Sequence, residues 1–384
     1  MSATSVSGTP LVAGVDAGAT TTRCVIATLD GVVLGRSTAP GANPNSSGGE
    51  ISASLAEALT RALNDADRRI ALTSADLAST PGGIGLGSVP GGADPASAAG
   101  GIDRASVRLG VLGGAGSAGA GRAAFRAAAV RAWRQAGLTG EVVTVTDLEV
   151  AFAAGTAEPD GVLLLSGTGA LAARFADGEL RRRCDGYGWL LGDEGSAVWI
   201  GVRALRAVLA ALDGRGVPTT LVDAACRQFG IPHTAREGGE GAAEGLGGWQ
   251  REKTAQALIA AAFGVAPAEL GRLAGAVSVA ADEGDGIAER ICAVAAERLL
   301  HTYDSVGPPP GAVVVLAGAV LLGPGPVGRA VRAGLRGRGA GGPRPALDGA
   351  GGAAALAVGR LTGIPVPPVV HARLTGSDHG CDRE

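Results

Sequence analysis

The chain has 384 residues, with 33 basic against 36 acidic side chains, a formal charge of -3 and 46% hydrophobic residues. With no cationic excess to hold a phosphate backbone, nucleic acid is not expected as a partner. The longest nearly apolar run, residues 313–323, is about half the roughly 20 residues that a membrane span requires, so no membrane association is expected either. The first 22 residues carry no Lys or Arg and no apolar leader core, which predicts a cytoplasmic protein. The five cysteines (24, 184, 226, 292 and 381) form no CxxC pair, and no His stands at zinc-finger spacing; a disulfide framework and a zinc site are both disfavoured. Glycine is the outlier, at 66 residues. The single lysine, Lys253, follows no glycine-rich loop, which excludes a P-loop nucleotide site.

Residues 11–15 form a short apolar run, and 23–29 with 31–34 read as two strands around a turn at Asp30-Gly31. Ser47 and Glu50 make a capping box ahead of Ile51, Leu55, Leu59 and Leu63 on one helical face, predicting a helix to about Arg69. Residues 81–101 hold eight glycines and three prolines in 21 positions and read as a mobile surface insertion. A strand at 107–112, a helix at 122–136 and a strand at 141–146 ending at Asp147 establish an α/β alternation. Residues 161–166 open a second set: a strand, the turn Gly167-Thr168-Gly169, a strand at 170–175, and a hairpin turn at Asp177-Gly178. This repeats the plan at 11–34 and predicts two duplicated domains, 1–155 and 156–384. Helices at 197–212 and 220–229, a Gly/Glu-rich loop at 236–248, Ala-rich helices through Tyr303, a strand at 313–316 and a small-residue helix at 349–361 complete the reading. The tail after Thr375 is polar.

Three strings carry chemistry. In VDAGATTT, Asp16 ends an apolar strand and is followed by Gly18, Thr20 and Thr22; a carboxylate there can hold hydrated Mg²⁺, and the turn can offer N–H groups to phosphate oxygens. In LLLSGTGA, Gly167 and Gly169 let backbone approach a phosphate while Thr168 adds a donor. Either turn alone reads equally as a tight hairpin. Two of them heading similar strand pairs suggest lobes that clamp one polyphosphate. The third string, GYGWLLGDEGSAVWIG at 186–201, sets two acids among glycines, Trp189, Trp199 and leucines; buried acids need hydrogen-bonding partners, and sugar hydroxyls are such partners. A helix N-cap at Asp193 or Ser196 explains only part of it. Asp147, at a strand end, is placed to act as a base, or to cap the segment 148–153.

These strings, with AADEGD at 280–285, resemble the BadF/BadG/BcrA/BcrD ATPase family, and within it the N-acetylglucosamine kinase branch, over roughly residues 11–360. The resemblance implies an α/β fold of two actin/hexokinase-like (ribonuclease H-like) domains around a cleft that closes on sugar, ATP and Mg²⁺ as cofactors, a small-molecule sugar acceptor, and a homodimer. Asp16 would organise Mg²⁺; Gly18, Thr20, Thr22, Gly167, Thr168 and Gly169 would hold the ATP phosphates; Gly318 would contact adenosine; Asn43 and Asp193 would bind sugar; and Asp147 would be the catalytic base, also touching the sugar. The chain departs from the family at Thr21, often lysine, at Ala319, usually glycine, and in reading DGYG where the family has GGWG.

The resemblance implies transfer of the ATP γ-phosphate to the 6-hydroxyl of N-acetylglucosamine, with glucosamine and N-acetylmuramic acid as alternative acceptors. Other classes stay open: an ATPase activating a dehydratase or reductase, which needs cluster-binding cysteines that LLLSGTG lacks, a non-enzymatic actin-like ATPase, and an NAD-dependent oxidoreductase. The last rests on the GxGxxG formed by Gly114, Gly116 and Gly119 with Glu141 beyond it; a dinucleotide-binding acid should end its strand, and Glu141 begins one.

Overall fold

The computed structural model describes residues 8–18, 20–42, 50–78, 101–114, 117, 119–232 and 248–377. The Ser47 half of the expected capping box, residues 81–100 of the insertion and residues 236–247 of the Gly/Glu-rich loop lie outside the described residues. The first elements are β1 (Leu11–Ala17), β2 (Thr21–Thr28), β3 (Val33–Pro40), α1 (Ile51–Ala78), β4 (Val107–Gly114), α2 (Arg122–Gln135), β5 (Glu141–Thr146) and α3 (Asp147–Ala153). There follow β6 (Gly161–Ser166), β7 (Ala170–Ala176), β8 (Glu179–Asp185), α4 (Ala197–Leu212), α5 (Leu221–Gln228), α6 (Gly248–Phe263), α7 (Pro267–Leu270), α8 (Leu273–Asp282) and α9 (Gly286–Ser305). The last are β9 (Val314–Ala317), α10 (Ala319–Leu322), α11 (Pro326–Gly337), β10 (Arg344–Pro345), α12 (Gly349–Thr362) and α13 (Pro368–Thr375). Among the described residues no helix is long and apolar enough to cross a membrane.

The chain forms two compact units, Met1–Glu158 with Ala346–Glu384, and Pro159–Pro345. Sequence divided it at 155/156 and left everything beyond with the second half; in the structure α12 and α13 belong with the first sheet. The reason is close packing. A Cβ on Gly14 would overlap the Ala350 carbonyl and the Ala354 amide, so α12 lies directly on β1.

The first unit's sheet has the order β3-β2-β1-β4-β5, antiparallel through β1, β2 and β3 and parallel from β1 to β4 to β5. Odd-numbered β1 residues, Leu11 to Ala17, face α1 and α2 through Leu55, Leu59, Leu63, Phe125 and Trp133. The other face packs Val12, Val25, Val111 and Val145 on the alanines of α12 and on Val370 and Leu374 of α13. A strand buried on both faces reads as a continuous apolar run, which is how β1 reads in the sequence. Helix α1 runs past the expected end at Arg69.

The second unit repeats the plan: order β10-β9-β6-β7-β8, antiparallel through β6, β7 and β8 and parallel from β6 to β9 to β10. Its core sets Val162, Leu164 and Ala172 against Ile200, Val208, Val277 and Leu299 of α4, α8 and α9. The two sheets share one topology, as the duplicated α/β reading expected.

Gly14→Ala is expected to cost about 1–3 kcal/mol, because the obstruction is helix backbone that no rotamer can clear. A lower unfolding midpoint in urea is the predicted readout.

Candidate active site

In the first unit, Asp16 is the penultimate residue of β1 and pairs with Arg23 of β2 and Gly113 of β4. It lies on the α12 face, where a Cβ on Gly349 would overlap its carboxylate. Burial pushes the Asp16 carboxyl up to about 6; Arg23 opposes the shift, while Asp147 and Asp348 add to it. Asp348 caps α12, its Oδ1 accepting from the Ala350 N–H at 3.0 Å, and it pairs with the Arg36 guanidinium.

Asp147 is the first residue of α3. The cap itself is Thr146: its hydroxyl accepts from the Glu149 N–H at 3.2 Å, and Glu149 Oε2 accepts from the Thr146 N–H at 2.7 Å. This capping box fixes the turn that carries Asp147, so Thr146 and not Asp147 fills the capping role that the sequence left as the alternative. Asp147 Oδ1 accepts from the Leu148 N–H at 3.1 Å.

The β1–β2 turn closes through a Gly18 N–H to Thr21 carbonyl bond of 2.9 Å, and Thr20 is exposed. The Ala42 N–H donates to the Gly18 carbonyl at 3.2 Å, tying the end of the β3 connection to this turn; Asn43 lies outside the described residues. Thr22 sits on a different face from Asp16. It pairs with Ala17 and alternates with Cys24, both in the core under α1 and α2, and its hydroxyl is fully buried with no partner.

The second unit gathers its own set. Gly167, Thr168 and Gly169 join β6 to β7, and the Gly167 N–H donates to the Gly169 carbonyl at 2.9 Å. The Ser166 hydroxyl donates to the Gly195 carbonyl at 2.9 Å and the Ala197 N–H to the Gly167 carbonyl at 2.8 Å, fastening the turn to the start of α4. Gly318, at φ 87°, packs so closely on Ser166 and Gly167 that no side chain fits there. Asp193, buried and at φ 54°, has its carboxyl raised by burial, against hydrogen bonds from the Ala170 and Gly188 N–H groups; Asp185 adds to the rise.

The structure sets Asp16 and Asp147 at the ends of β1 and β5 in the first unit, and gathers the Gly167–Gly169 turn, Asp193 and Gly318 in the second; sequence reasoning gave no role to Asp348, Gly349 or Asp185. An Asp directly before a small-residue helix is an N-cap signal that would have found Asp348. AADEGD serves structure: the Asp285 carboxylate caps α9 and binds Thr219 and Thr220. The dinucleotide reading fails on register, since Glu141 pairs with Leu109 while Gly114 pairs with Thr146 at the other end of the strands.

A family model of the BadF/BadG/BcrA/BcrD ATPase family matches residues 13–357. The chain belongs to that family. Over 107 residues it is 36% identical to an N-acetylmuramic acid/N-acetylglucosamine kinase of Clostridium acetobutylicum, a match spanning 28% of this chain and about a third (35%) of that relative's length. A proposed N-acetylglucosamine kinase of Chromobacterium violaceum superposes with a TM-score of 0.61 at 22% identity, covering 91% of this chain and 99% of that one. A proposed N-acetylglucosamine kinase of Porphyromonas gingivalis gives 0.57 at 16% identity, covering 92% and 100%. These two establish the fold of this BadF/BadG-family chain.

The raised carboxyl of Asp16 makes a pH prediction. The folded state holds a proton that the unfolded state has lost between about pH 4 and 6, so Asp16 costs stability progressively as pH rises through that window. In metal-free protein Asp16→Asn should be the more stable form at pH 7.5, by up to about 3 kcal/mol, with the difference gone by pH 4. Thermal melts at the two pH values read it; equal melting temperatures at pH 7.5 refute the strained carboxylate.

Proposed function

We propose that the chain is an ATP-dependent amino-sugar kinase that transfers the γ-phosphate of ATP to the 6-hydroxyl of N-acetylglucosamine. The observation that carries the reading is the acid pair at the ends of β1 and β5: Asp16, buried and short of positive charge, and Asp147, the first residue of α3, within electrostatic reach of it. Phosphoryl transfer needs few groups beyond a metal-holding carboxylate, an acceptor-facing base and positioned donors. Family membership and the Clostridium relative support the same class.

In this reading Asp147 takes the proton of the acceptor hydroxyl as its oxygen attacks phosphorus. Gly18, Thr20 and the Gly167–Gly169 turn hold phosphate oxygens, Gly318 borders the adenosine, and Asn43 and Asp193 position the sugar. Thr22, which the sequence set on the phosphates as well, has its hydroxyl buried under α1 and α2, on the face opposite Asp16. The donor set at Asp16 fits Mg²⁺: one buried carboxylate short of countercharge suits an ion that keeps most of its waters, and among the described residues no cluster of three His, Cys, Asp or Glu offers a dedicated cage. Bound there with the phosphates, Mg²⁺ would neutralise charge developing on them. The reading includes a cytoplasmic homodimer.

N-acetylmuramic acid is the second acceptor favoured by an observation. The Arg183 guanidinium lies 5.9 Å over the Tyr187 ring, beside the 186–192 segment, and offers a cation to a lactyl carboxylate. Glucosamine follows.

Asp147→Asn should lower kcat by about 10²–10⁴-fold with the KM values for ATP and sugar nearly unchanged, since the base acts only as the hydroxyl loses its proton. More than about a tenth of wild-type kcat remaining refutes the role. A panel of the three sugars separates the acceptors, and rapid ATP hydrolysis without sugar would favour the activator class.

A further inference from the structure

We infer that Asp185 is a positioning residue that braces the loop 186–192 for acceptor binding. The inference rests on the kinase reading above. Asp185 is one of three non-glycine residues among the described ones with positive φ, at 64°, a conformation disfavoured for a side chain unless that side chain bonds locally. Its carboxylate does so. Oδ1 accepts from the Gly186 N–H at 2.8 Å and the Asp193 N–H at 2.7 Å, and Oδ2 accepts from the Glu194 N–H at 2.8 Å. The start and end of the loop are thereby pinned to one side chain. Gly192 passes so close to that carboxylate that a Cβ there would overlap it.

Asp193 works in the opposite direction. It accepts from Ala170 beside the Gly167–Gly169 turn and from Gly188 inside the loop. The two acids therefore cross over, each holding amides from the other's side. What the brace presents is a tip of exposed apolar side chains: Tyr187, Leu190 and Leu191 are 65%, 73% and 81% exposed, with Trp189 beside them. Such a tip suits the apolar face of a sugar ring and an acetyl group. The phosphate-side turn has its own fastenings through Ser166, Gly195 and Ala197, so loosening the loop should spare it.

Two variants test this. Asp185→Gly removes the carboxylate without adding strain at positive φ, and Asp185→Asn keeps a carbonyl oxygen for the Gly186 and Asp193 amides while turning an N–H₂ toward Glu194. Hydrogen–deuterium exchange should show the Asp193 and Glu194 amides losing protection by about tenfold or more in the glycine variant, with Asp193 retained in the asparagine variant. The KM for N-acetylglucosamine should rise about 10–100-fold in the glycine variant and less in the asparagine variant, with the KM for ATP within about twofold of wild type. Unchanged exchange overturns the brace. A parallel rise in the KM for ATP, a fall in kcat at unchanged KM, or lost thermal stability with both KM values unchanged overturns its tie to the acceptor. A wild-type chain that phosphorylates none of the sugars, with the exchange result intact, refutes the kinase reading and supports the brace.

Discussion

With no room for a side chain at Gly14, α12 rests on β1 backbone to backbone. That approach decides where the first turn of α12 falls: against the carboxylate of Asp16. A helix N-terminus carries partial positive charge and unpaired N–H groups, which favour an anion. Here the Asp348 carboxylate already caps the Ala350 amide and adds its own negative charge. Asp16 is left buried with too little compensation, which is why its proton is held to about pH 6. Close helix packing and an electrostatically hungry carboxylate are two results of one small-residue contact. The high glycine and alanine content of α12 belongs to this contact as much as to composition.

The second unit solves a different problem with the same topology. Its β6–β7 turn is fastened by the Ser166 hydroxyl, the Ala197 amide and the close approach of Gly318, so the turn's backbone is held in place before any ligand arrives. Preorganised donors avoid reorganisation cost when an anion binds. Asp185 binds three backbone amides, and Asp193 accepts from two more while burial still raises its carboxyl.

Much of the layout was legible because its signals are local. Strands 11–17 and 161–166 announce themselves as apolar runs ended by glycine turns, and the repeat of that plan gave the duplicated fold. The helical face of Leu55, Leu59 and Leu63 is buried as its spacing required. The end of α1 was misjudged because residues 71–78, with three alanines and two leucines, carry helix propensity without an extended apolar stripe. The return of α12 to the first sheet had no local signal, since Gly14 and Ala354 are remote in sequence. The burial of Thr22, which the sequence reading set on the phosphates, was legible in the alternation: once β1 and β2 pair as a hairpin, what sends Asp16 to one face sends Thr22 to the other. Asp185 was noticed only as a departure from GGWG, because its work depends on a positive φ that sequence does not display.

The two units offer opposite chemistry at the same end of a shared topology. In a β-hairpin followed by a parallel strand, the turn after the first strand and the end of the returning strand lie at the same end of the sheet. In the first unit that end collects side-chain charge: Asp16 near the end of β1, and Asp147 after β5. In the second it collects backbone donors, because glycines occupy the turn after β6 and the turn after β9, and the neighbouring acids are consumed by amides. Carboxylates attract a cation, and free N–H groups attract phosphate oxygens. One duplicated framework therefore carries two kinds of polar group, acids in one copy and glycine turns in the other. The units diverge at these positions: acids at Asp16 and Asp147 in the first, glycines at Gly167, Gly169 and Gly318 in the second.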